Sequence, residues 1–258
     1  MDSPTVTGLA VAAVKGTRLR EVDSIELGPG GARGDRRFFV IDQRERMVNG
    51  KQLGALQTVV ASYDCDERRL AFEFPDRSRV EDEVELGAPI VARFFSTQTE
   101  GRLVEGPWAE ALSDHIGQPL RLVSTGSAVD RGPVGGASLI SRASLERVAH
   151  EAEAETIDAR RFRMLIEVDG VDAHAEDGWV GERVRVGDAL VKFEGHVGRC
   201  LITTRNPETG EVDLPTLDLL RSYRHDLQTT EPLAFGIYGR VLEPGSVRTG
   251  DRVIPVTR

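Results

Sequence analysis

The sequence Gly195-His196-Val197-Gly198-Arg199-Cys200-Leu201-Ile202-Thr203-Thr204 contains one of the two cysteines of this chain. Cys200 follows an arginine and precedes an apolar and threonine run that predicts a strand. A thiolate held by backbone beside a cation suits metal ligation or nucleophilic sulfur chemistry. A cysteine can also be simply a small buried apolar residue. The turn signal directly downstream, Arg205-Asn206-Pro207-Glu208-Thr209-Gly210, and the Gly-Arg pair upstream favour a chemical role for Cys200.

Length and composition narrow the class of protein. A chain of 258 residues can bury a real core, as one large domain or two small ones. Its formal net charge of −9 argues against a general nucleic-acid binder. No apolar run approaches the ~20 residues that a membrane helix needs, and the first residues lack the features of a secretory signal. Cys65 lies in a polar, turn-like stretch and forms no disulfide framework with Cys200, so we expect a cytoplasmic, reducing location.

Short apolar runs predict a chain that is rich in strands. The predicted strands cover residues 8–14, 37–42, 56–61, 70–74, 89–95, 163–168, 183–187, 238–242 and 253–256, and we expect the last two to pair with each other. The glycine-rich run 28–34 lacks the lysine and hydroxyl of a phosphate-binding loop, so we interpret it as a flexible loop.

Three helices are predicted between these strands. Trp108, Leu112 and Ile116 recur at helical spacing, and Gly117 can end their helix. Ser141 can cap a second helix, whose apolar face carries Leu145, Val148, Ala149 and Ala152. Pro215 can stand in the first turn of a third helix, before Leu217, Leu220 and Tyr223. Because strands predominate, we predict a mixed α/β, β-rich fold: a barrel-like β architecture with helices packed outside, not a doubly wound parallel sheet.

The histidines offer little support for a metal site. All five are scattered, and none pairs with another at the spacing of zinc ligands. His196 lies four positions before Cys200, which would place both side chains on one face of a regular strand, although Gly198 can interrupt the alternation. A Cys–His nucleophilic pair is therefore one alternative, and a histidine in a turn or interface is the other. The chain has no Gly-x-Ser-x-Gly motif.

Three stretches give the chain a resemblance to a known family. They are residues 34–42, residues 158–163 with 176–181, and residues 198–224. From Lys15 onward, their order and spacing resemble MOSC proteins, the family named after the C-terminal domain of molybdenum cofactor sulfurase. Within it, the amidoxime-reducing components and their bacterial counterparts are most similar. The resemblance implies an N-terminal β-barrel-like subdomain over residues 1–100 and a MOSC-type β-barrel with flanking helices over residues 101–258, packed together with the site between them.

The resemblance also implies site residues. It makes Cys200 the catalytic residue and the molybdenum ligand, within a molybdenum cofactor whose other sulfur ligands come from the pterin dithiolene. The cofactor-binding residues that it implies are Lys15, Gly16, Arg36, Gly135, Arg163, Gly198, Cys200 and Tyr238. Arginine forks suit phosphate oxygens and pterin carbonyls. The family usually has Arg-Pro-Asn where this chain has Arg163-Met164-Leu165, and Gly16 and Gly198 stand where serines are common, so fewer hydrogen-bonding groups line the site.

The implied function is that of a molybdenum-cofactor-dependent oxidoreductase. It would reduce N-hydroxylated or related N-oxygenated small molecules. The sequence has no cysteine cluster for an iron–sulfur centre, so the electrons would come from a separate donor protein. No nucleic-acid or membrane partner is expected. Two alternatives stay open: a sulfur-carrier or sulfur-transfer protein that uses a Cys200 persulfide, and a cofactor-binding module without turnover.

Overall fold

The structure, a computed structural model, describes residues 3–126 and 132–256. Strands dominate this part of the chain. They are β1 (Thr5–Val11), β2 (Arg20–Glu21), β3 (Ser24–Gly28), β4 (Gly31–Ala32), β5 (Phe38–Ile41), β6 (Met47–Val48), β7 (Val60–Asp64), β8 (Arg69–Glu73), β9 (Arg79–Glu83), β10 (Glu85–Phe94), β11 (Thr97–Glu105), β12 (Arg121–Ser124), β13 (Ala137–Ser141), β14 (Ile166–Asp169), β15 (Arg183–Val186), β16 (Ala189–Gly198), β17 (Ala234–Glu243), β18 (Gly245–Arg248) and β19 (Val253–Val256).

Helices are few within the described residues. The α-helices are α1 (Trp108–Ile116), α2 (Arg142–Glu151) and α3 (Thr216–Arg224). Short 3-10 helices cover Gly54–Thr58, Gly132–Gly135, Ala159–Phe162, Ala175–Trp179 and Leu201–Thr204. The predicted β-rich fold with three modest helices is therefore confirmed. No helix in the described ranges is long and apolar enough to cross a membrane.

An eight-stranded sheet forms the larger layer, in the order β19-β15-β16-β17-β13-β14-β1-β2. The segment that leads into β19 meets β1, because the backbone N–H of Val6 donates to the carbonyl oxygen of Asp251 at 2.8 Å and that of Gly250 donates to the carbonyl oxygen of Val6 at 2.8 Å. Thr5 also bridges Arg252. These bonds close the sheet into a barrel, which leaves fewer unpaired strand edges. Apolar side chains from its strands fill the interior, and α2 and α3 pack outside over Ile140, Phe162 and Phe235.

A second layer is built from the sheets β10-β11-β12-β5-β6 and β7-β8-β9. Its core includes the fully buried rings of Phe38, Phe72 and Trp108. Trp108 lies at the start of α1, and its indole N–H donates to the carbonyl oxygen of Leu70 at 2.9 Å, which attaches α1 to β8. Burying a side chain of this size stabilises the layer by roughly 2–3 kcal/mol.

Strand pairing links the first 100 residues to the rest of the chain. β1 pairs with β14 and β3 pairs with β18, although β1 and β3 belong to the first 30 residues. β12, in turn, pairs with β5. The pairing thus crosses residue 100 repeatedly, and a domain boundary at that residue stays a prediction.

Local signals at the helix ends are confirmed. Gly117 ends α1 with a φ of +79°, in the left-handed region that glycine adopts easily. The Ser141 hydroxyl accepts a hydrogen bond from the backbone N–H of Ser144 at 3.2 Å and so caps α2. Pro215 directly precedes α3, one position earlier than the predicted first turn.

Several predicted strands differ from the structure. Leu201–Thr204 is a 3-10 turn, because the Thr203 and Thr204 hydroxyls donate back to the carbonyl oxygens of Cys200 and Leu201 at 3.1 and 2.8 Å. The run 56–61 likewise begins as a 3-10 helix, where Thr58 bonds back to Ala55 at 2.8 Å. The predicted pairing of 238–242 with 253–256 is wrong, since β17 lies between β13 and β16 while β19 pairs with β15. The glycine-rich run 28–34 includes the tight β3–β4 hairpin turn instead of a wholly flexible loop.

Candidate functional site

A cavity of about 200 Å³ opens beside Cys200. Its lining residues are Lys15, Arg36, Gly135, Ser138, Phe162, Arg163, Met164, Val197, Gly198, Arg199, Cys200, Ile202, Thr203 and Tyr238. Seven of the eight residues implied by the resemblance are among them. The exception is Gly16, which follows Lys15 in the sequence but does not line the cavity.

The cavity lies where loops of the two layers meet. Lys15 follows β1, and Arg36 precedes β5. Arg163 ends the 3-10 helix Ala159–Phe162, and Cys200 follows β16. Residues far apart in the sequence therefore come together through the folding of the whole chain, and their role in binding a cofactor stays a prediction.

Asp35 and the backbone hold the side chain of Arg36 in place. One Asp35 oxygen accepts a hydrogen bond from the Ala12 backbone N–H at 2.8 Å, and the other accepts a short one from Arg36 Nη1. Nη2 of Arg36 donates to the carbonyl oxygen of Arg163 at 2.8 Å. Asp35 and Arg36 are both buried, at 6% and 8% exposure. A buried, multiply bonded guanidinium is pre-organised to meet an anion.

The two cavity arginines that the resemblance implies share an unusual backbone conformation. Arg36 has a φ of +46° and Arg163 a φ of +54°. Few residues other than glycine adopt this left-handed region, and strain of this kind clusters at functional sites. At Arg163 the conformation ends the 3-10 helix, and its N–H donates to Arg160 at 3.1 Å. The side chain of Arg163 lines the cavity beside that of Arg36.

Arg199, the neighbour of Cys200 in sequence, faces the protein interior. Its Nη1 donates to the carbonyl oxygen of Phe162 at 2.7 Å, and Nη2 contacts the carbonyl oxygen of Phe235 and lies 3.0 Å from Sδ of Met164. The guanidinium also lies over the Phe162 ring, 5.4 Å from its centroid. Arg199 thus fixes the wall of the cavity and holds Met164, one of the residues at which the chain departs from the family pattern.

The Cys200 thiol belongs to an exposed residue at the mouth of the cavity. Its backbone carbonyl accepts a hydrogen bond from the Thr203 N–H at 3.0 Å, which fixes the chain immediately after the thiol. The histidine alternative is not supported. His196 is buried, its backbone N–H donates to Thr230 at 2.7 Å, and it is absent from the lining of the cavity.

Glycines allow the loop before β7 to pack closely against the loop after Cys200. A Cβ on Gly50 would lie 2.5 Å from Cδ1 of Ile202, which lines the cavity. A Cβ on Gly54 would lie 2.6 Å from Nη1 of Arg205 and closer still to the carbonyl oxygen of Gly210. Real Cβ atoms essentially never approach within 3.0 Å. The close approach of these two loops therefore requires glycine, and it sets the shape of the cavity.

The electrostatics of the cavity are opposite to those of the whole protein. The chain carries a net charge of −9. The lining of the cavity nevertheless includes four cationic side chains, Lys15, Arg36, Arg163 and Arg199, and no carboxylate among the described lining residues. Asp35, which bonds Arg36, lies just behind this lining. Such a surface attracts a small anion.

The donor set fits a molybdenum cofactor. A soft thiolate suits molybdenum, and the cations suit a phosphate and pterin oxygens. No group of three or more His, Cys, Asp or Glu residues in the described chain could hold a metal by itself. A metal at Cys200 would therefore bring its other ligands with it, as a dithiolene does. The cavity is smaller than the roughly 300–1,000 Å³ of typical ligand pockets, so a bound cofactor would remain partly open to solvent.

The aromatic contacts of Lys15 were not predicted from the sequence. Its ammonium lies 5.6 Å from the ring centroid of Phe94 and 5.9 Å from that of Phe95, within the range of a cation–π contact. The sequence shows these rings only as the end of an apolar strand. No motif pointed to Ser138, Ile202 or Thr203 in the lining either, because each belongs to an ordinary strand or turn.

The stretch 176–181, part of the resemblance, supports the fold and lies outside the cavity lining. Glu176 is fully buried, and its carboxylate accepts hydrogen bonds from the Ser141 and Ser144 hydroxyls at 2.8 and 2.7 Å. His174 lies nearby, and burial, aided by the positive charge of Arg224, lowers its pKa to about 4. This polar cluster anchors the start of α2 against the barrel.

An ion pair between a buried arginine and a partly exposed aspartate supports the turn after Cys200. Arg161 Nη2 donates to Asp213 at 2.6 Å, and Arg161 Nη1 donates to the carbonyl oxygen of Arg205 at 2.7 Å. Burial alone would raise the pKa of Asp213, but hydrogen bonds from Arg161 and Asn206 outweigh it and lower that pKa. Asp213 therefore stays ionised and paired, which holds residues 205–213 against the 3-10 helix Ala159–Phe162.

Comparison with known families identifies the carboxy-terminal half. Residues 129–254 match the model of the MOSC domain. The chain therefore contains a MOSC domain, as its sequence motifs implied.

Curated relatives extend the similarity over nearly the whole chain. Mitochondrial amidoxime-reducing component 1 of Xenopus laevis is 26% identical, over 98% of this chain and 82% of its own length. Component 1 of Homo sapiens is 27% identical, over 94% of this chain and 79% of its own. Component 2 of Homo sapiens is 41% identical, but over only 36% of this chain and 29% of its own. Among solved structures, the YuaD protein from Bacillus subtilis aligns with 100% of this chain and 98% of its own, at 15% identity and a TM-score of 0.48.

Proposed function

We propose that this protein is a molybdenum-cofactor-dependent reductase of N-hydroxylated or related N-oxygenated small molecules, with Cys200 as the metal ligand. One observation carries the proposal: an exposed thiol and a set of cationic side chains share one cavity whose described lining contains no carboxylate. The MOSC domain and the relatives named amidoxime-reducing components support the same class of enzyme.

The residues of the cavity divide into two groups by chemistry. The Cys200 thiolate would supply one soft ligand to molybdenum. Lys15, Arg36 and Arg163 would hold the phosphate and the pterin oxygens, with the arginines bonding in two-pronged fashion. When bound, the cofactor supplies a two-electron redox centre that accepts oxygen from a substrate. The protein contributes position and electrostatics.

The reaction itself sets what the remaining residues must do. Reduction of an N-hydroxyl group to N–H consumes two electrons and two protons and releases water. Ser138 and Tyr238 line the cavity, and their hydroxyls can orient a polar substrate there. The exposed position of Cys200 leaves the mouth open, so protons and the product water can exchange with solvent. A separate protein would deliver the electrons, and a cytoplasmic location remains our prediction.

Replacement of Cys200 by serine tests the assignment. Because Cys200 is exposed, Cys200→Ser should change the free energy of unfolding by no more than about 0.5 kcal/mol. The hydroxyl is a harder, poorly ionised ligand, so the variant should lose molybdenum and activity. Protein purified from a cofactor-producing host would be analysed for metal and pterin content. It would also be assayed anaerobically with a reduced viologen dye against a panel of N-hydroxylated compounds.

Cys65→Ser is the matched control, because Cys65 is the only other cysteine of the chain. It should retain metal and activity. Full molybdenum content together with full activity in Cys200→Ser would refute the assignment of Cys200 as metal ligand.

A sulfur-carrier function is the second candidate, and the exposure of the Cys200 thiol favours it. An accessible thiolate can receive sulfur from the persulfide of a desulfurase and hold it as a cysteine persulfide. The same protein preparation separates the two functions. Absence of reduction across the whole panel, together with a persulfide on Cys200 after incubation with a desulfurase, would establish sulfur transfer in place of reduction.

A further inference from the structure

Lysine is rare in this chain and unevenly placed. Of its 33 lysine and arginine residues, only three are lysines: Lys15, Lys51 and Lys192. Lys15 lines the Cys200 cavity. Lys51 lines a neighbouring groove of about 450 Å³ together with Leu201, the residue after Cys200. Two of the three lysines therefore lie around the same mouth, and a compact ammonium is chemically distinct from the planar guanidinium that the chain uses elsewhere.

Phe95 joins the two lysines. Its ring centroid lies 5.2 Å from Nζ of Lys51 and 5.9 Å from Nζ of Lys15. Phe95 is 53% exposed and has a φ of +56°, at the tip of the β10–β11 hairpin. Tight hairpin turns with positive φ favour glycine, asparagine or aspartate. A large aromatic ring at this position is strained and half in water, which is a poor arrangement for stability and a suitable one for binding.

The groove beside Lys51 also contains carboxylates, but these have other partners. Asp213 pairs with Arg161 at 2.6 Å, and Asp218 contacts Arg221 at 2.5 Å. Among the described residues, no carboxylate lies within 4.0 Å of the Lys51 ammonium. Its backbone is fixed, since the carbonyl oxygen accepts a hydrogen bond from Nη2 of Arg205 at 3.1 Å. The positive charge of Lys51 is thus held next to an exposed aromatic ring and available to a ligand.

We propose that Lys51 and Phe95 form a substrate subsite for a flat, apolar group that carries a carboxylate or phosphate. The inference rests on the proposed function, because it places the acidic end of an N-oxygenated substrate on the Lys51 side of the mouth and its N–O group toward Cys200. The substrate ring packs against Phe95, and its anionic group pairs with the Lys51 ammonium. Lys15 borders the same ring from the cofactor side.

A pair of non-reducible probes tests the subsite without turnover. Benzamide and 4-carbamoylbenzoate share one ring and one amide and differ by a carboxylate. Their dissociation constants would be measured calorimetrically with cofactor-loaded and with cofactor-free protein. A charge-assisted hydrogen bond predicts that loaded wild-type protein binds 4-carbamoylbenzoate at least about tenfold more tightly than benzamide.

Three variants locate the preference. Lys51→Met should reduce the ratio of the two dissociation constants to about two or less in loaded protein, while the affinity for benzamide stays the same. Phe95→Leu should weaken both probes and leave their ratio. Lys192→Met is the matched control, because it removes the remaining lysine, which lies 3.7 Å from Glu194. It should change neither probe. Cofactor-free protein should show the same loss of carboxylate affinity from wild type to Lys51→Met.

The outcomes separate the subsite from the proposed function. A protein that reduces N-hydroxylated compounds but binds both probes equally, or keeps its carboxylate preference in Lys51→Met, overturns the subsite alone. A protein that reduces nothing on the panel but loses its carboxylate preference in Lys51→Met retains the subsite and contradicts the reductase. Equal loss of preference in Lys192→Met would show a diffuse charge effect and would also overturn the subsite.

Discussion

The close contact between Gly54 and Gly210 predicts that alanine at either position destabilises the protein. The contributions of backbone strain and of steric overlap can be measured separately. Gly210 has a φ of +73°, and a Cβ placed on it would clash with the backbone of Gly54. Gly54 lacks a positive φ, but a Cβ on it would clash with Gly210 and Arg205. Gly117 has a φ of +79° with nothing within 4 Å of its Cβ position. Replacing each by alanine therefore separates backbone strain from steric overlap.

The expected losses of stability follow from these geometries. Gly117→Ala should lower the free energy of unfolding by about 1 kcal/mol, because it only forces an alanine into the left-handed backbone conformation. Gly54→Ala adds only overpacking against backbone that cannot rotate away, roughly 1–3 kcal/mol. Gly210→Ala adds both, so its loss should be roughly 2–4 kcal/mol. The order of stability is therefore wild type, then Gly117→Ala, then Gly54→Ala, with Gly210→Ala the least stable.

Urea denaturation followed by circular dichroism measures each free energy of unfolding. The three variants should share the wild-type dependence on urea concentration, because the surface exposed on unfolding is unchanged. Equal losses in Gly210→Ala and Gly117→Ala would refute the reasoning, since they would show that the loops separate at no cost. A loss below about 0.5 kcal/mol in Gly54→Ala would do the same.

Two further predictions concern buried charges. Asp35→Asn should lower the free energy of unfolding by about 1–3 kcal/mol in urea titrations, because it removes a carboxylate partner of the buried Arg36 guanidinium, and an unchanged value would contradict the ion pair. Burial and the charge of Arg224 lower the pKa of His174 from 6.5 to about 4. Below pH 6.5, His174 is therefore protonated in the unfolded chain, whereas in the folded protein it stays neutral until about pH 4. Because the residue is only partly buried and water screens part of the effect, stability should fall across that window by about 1–2 kcal/mol. His174→Asn should lessen the fall between pH 7 and pH 4.5, and an unaltered pH profile would contradict a neutral imidazole in the folded protein.

Local signals were the reliable part of the sequence. Trp108 to Ile116 forms the predicted helix because its apolar spacing and its glycine stop lie within one short segment. Ser141 caps α2 for the same reason, since the hydroxyl and the N–H that it accepts from are three residues apart. Such features need no knowledge of the rest of the chain, so a single sequence suffices to predict them.

The partner of each strand could not be predicted from local sequence signals. Val253–Val256 has the composition of a strand, but its partner β15 is about 70 positions earlier. Three strands and a helix lie between them, so no short turn signal indicates their register. The barrel closes only when residues 4–6 meet residues 250–253 at the other end of the chain. Pairing of this kind depends on the packing of the whole core, which a local pattern does not encode.

The strand predicted after Cys200 is a turn, because the threonine hydroxyls there bond to nearby backbone. A β-branched and apolar run favours a strand when its backbone finds a neighbouring strand. Here Thr203 and Thr204 satisfy carbonyl oxygens three residues back instead, and the Thr203 hydroxyl also contacts that of Thr216 at 2.6 Å. The resulting turn fixes the carbonyl of Cys200 and brings Ile202 and Thr203 into the lining of the cavity.

Arg199, the cation next to Cys200 in sequence, has its guanidinium bonded to backbone carbonyl oxygens. Cys200 has extended backbone, with a φ of −138° and a ψ of 175°, and neighbouring side chains on extended backbone point to opposite sides. The Arg199 guanidinium therefore forms part of the cavity wall, where it bonds the carbonyl oxygens of Phe162 and Phe235, while the thiol residue stays exposed. Arg36, which we predict to bind the cofactor, instead donates a hydrogen bond to the carbonyl oxygen of Arg163, 127 positions away in sequence. Adjacency to Cys200 thus identifies a residue that shapes the wall, and only the closed barrel and its partner layer bring the cations to the thiol.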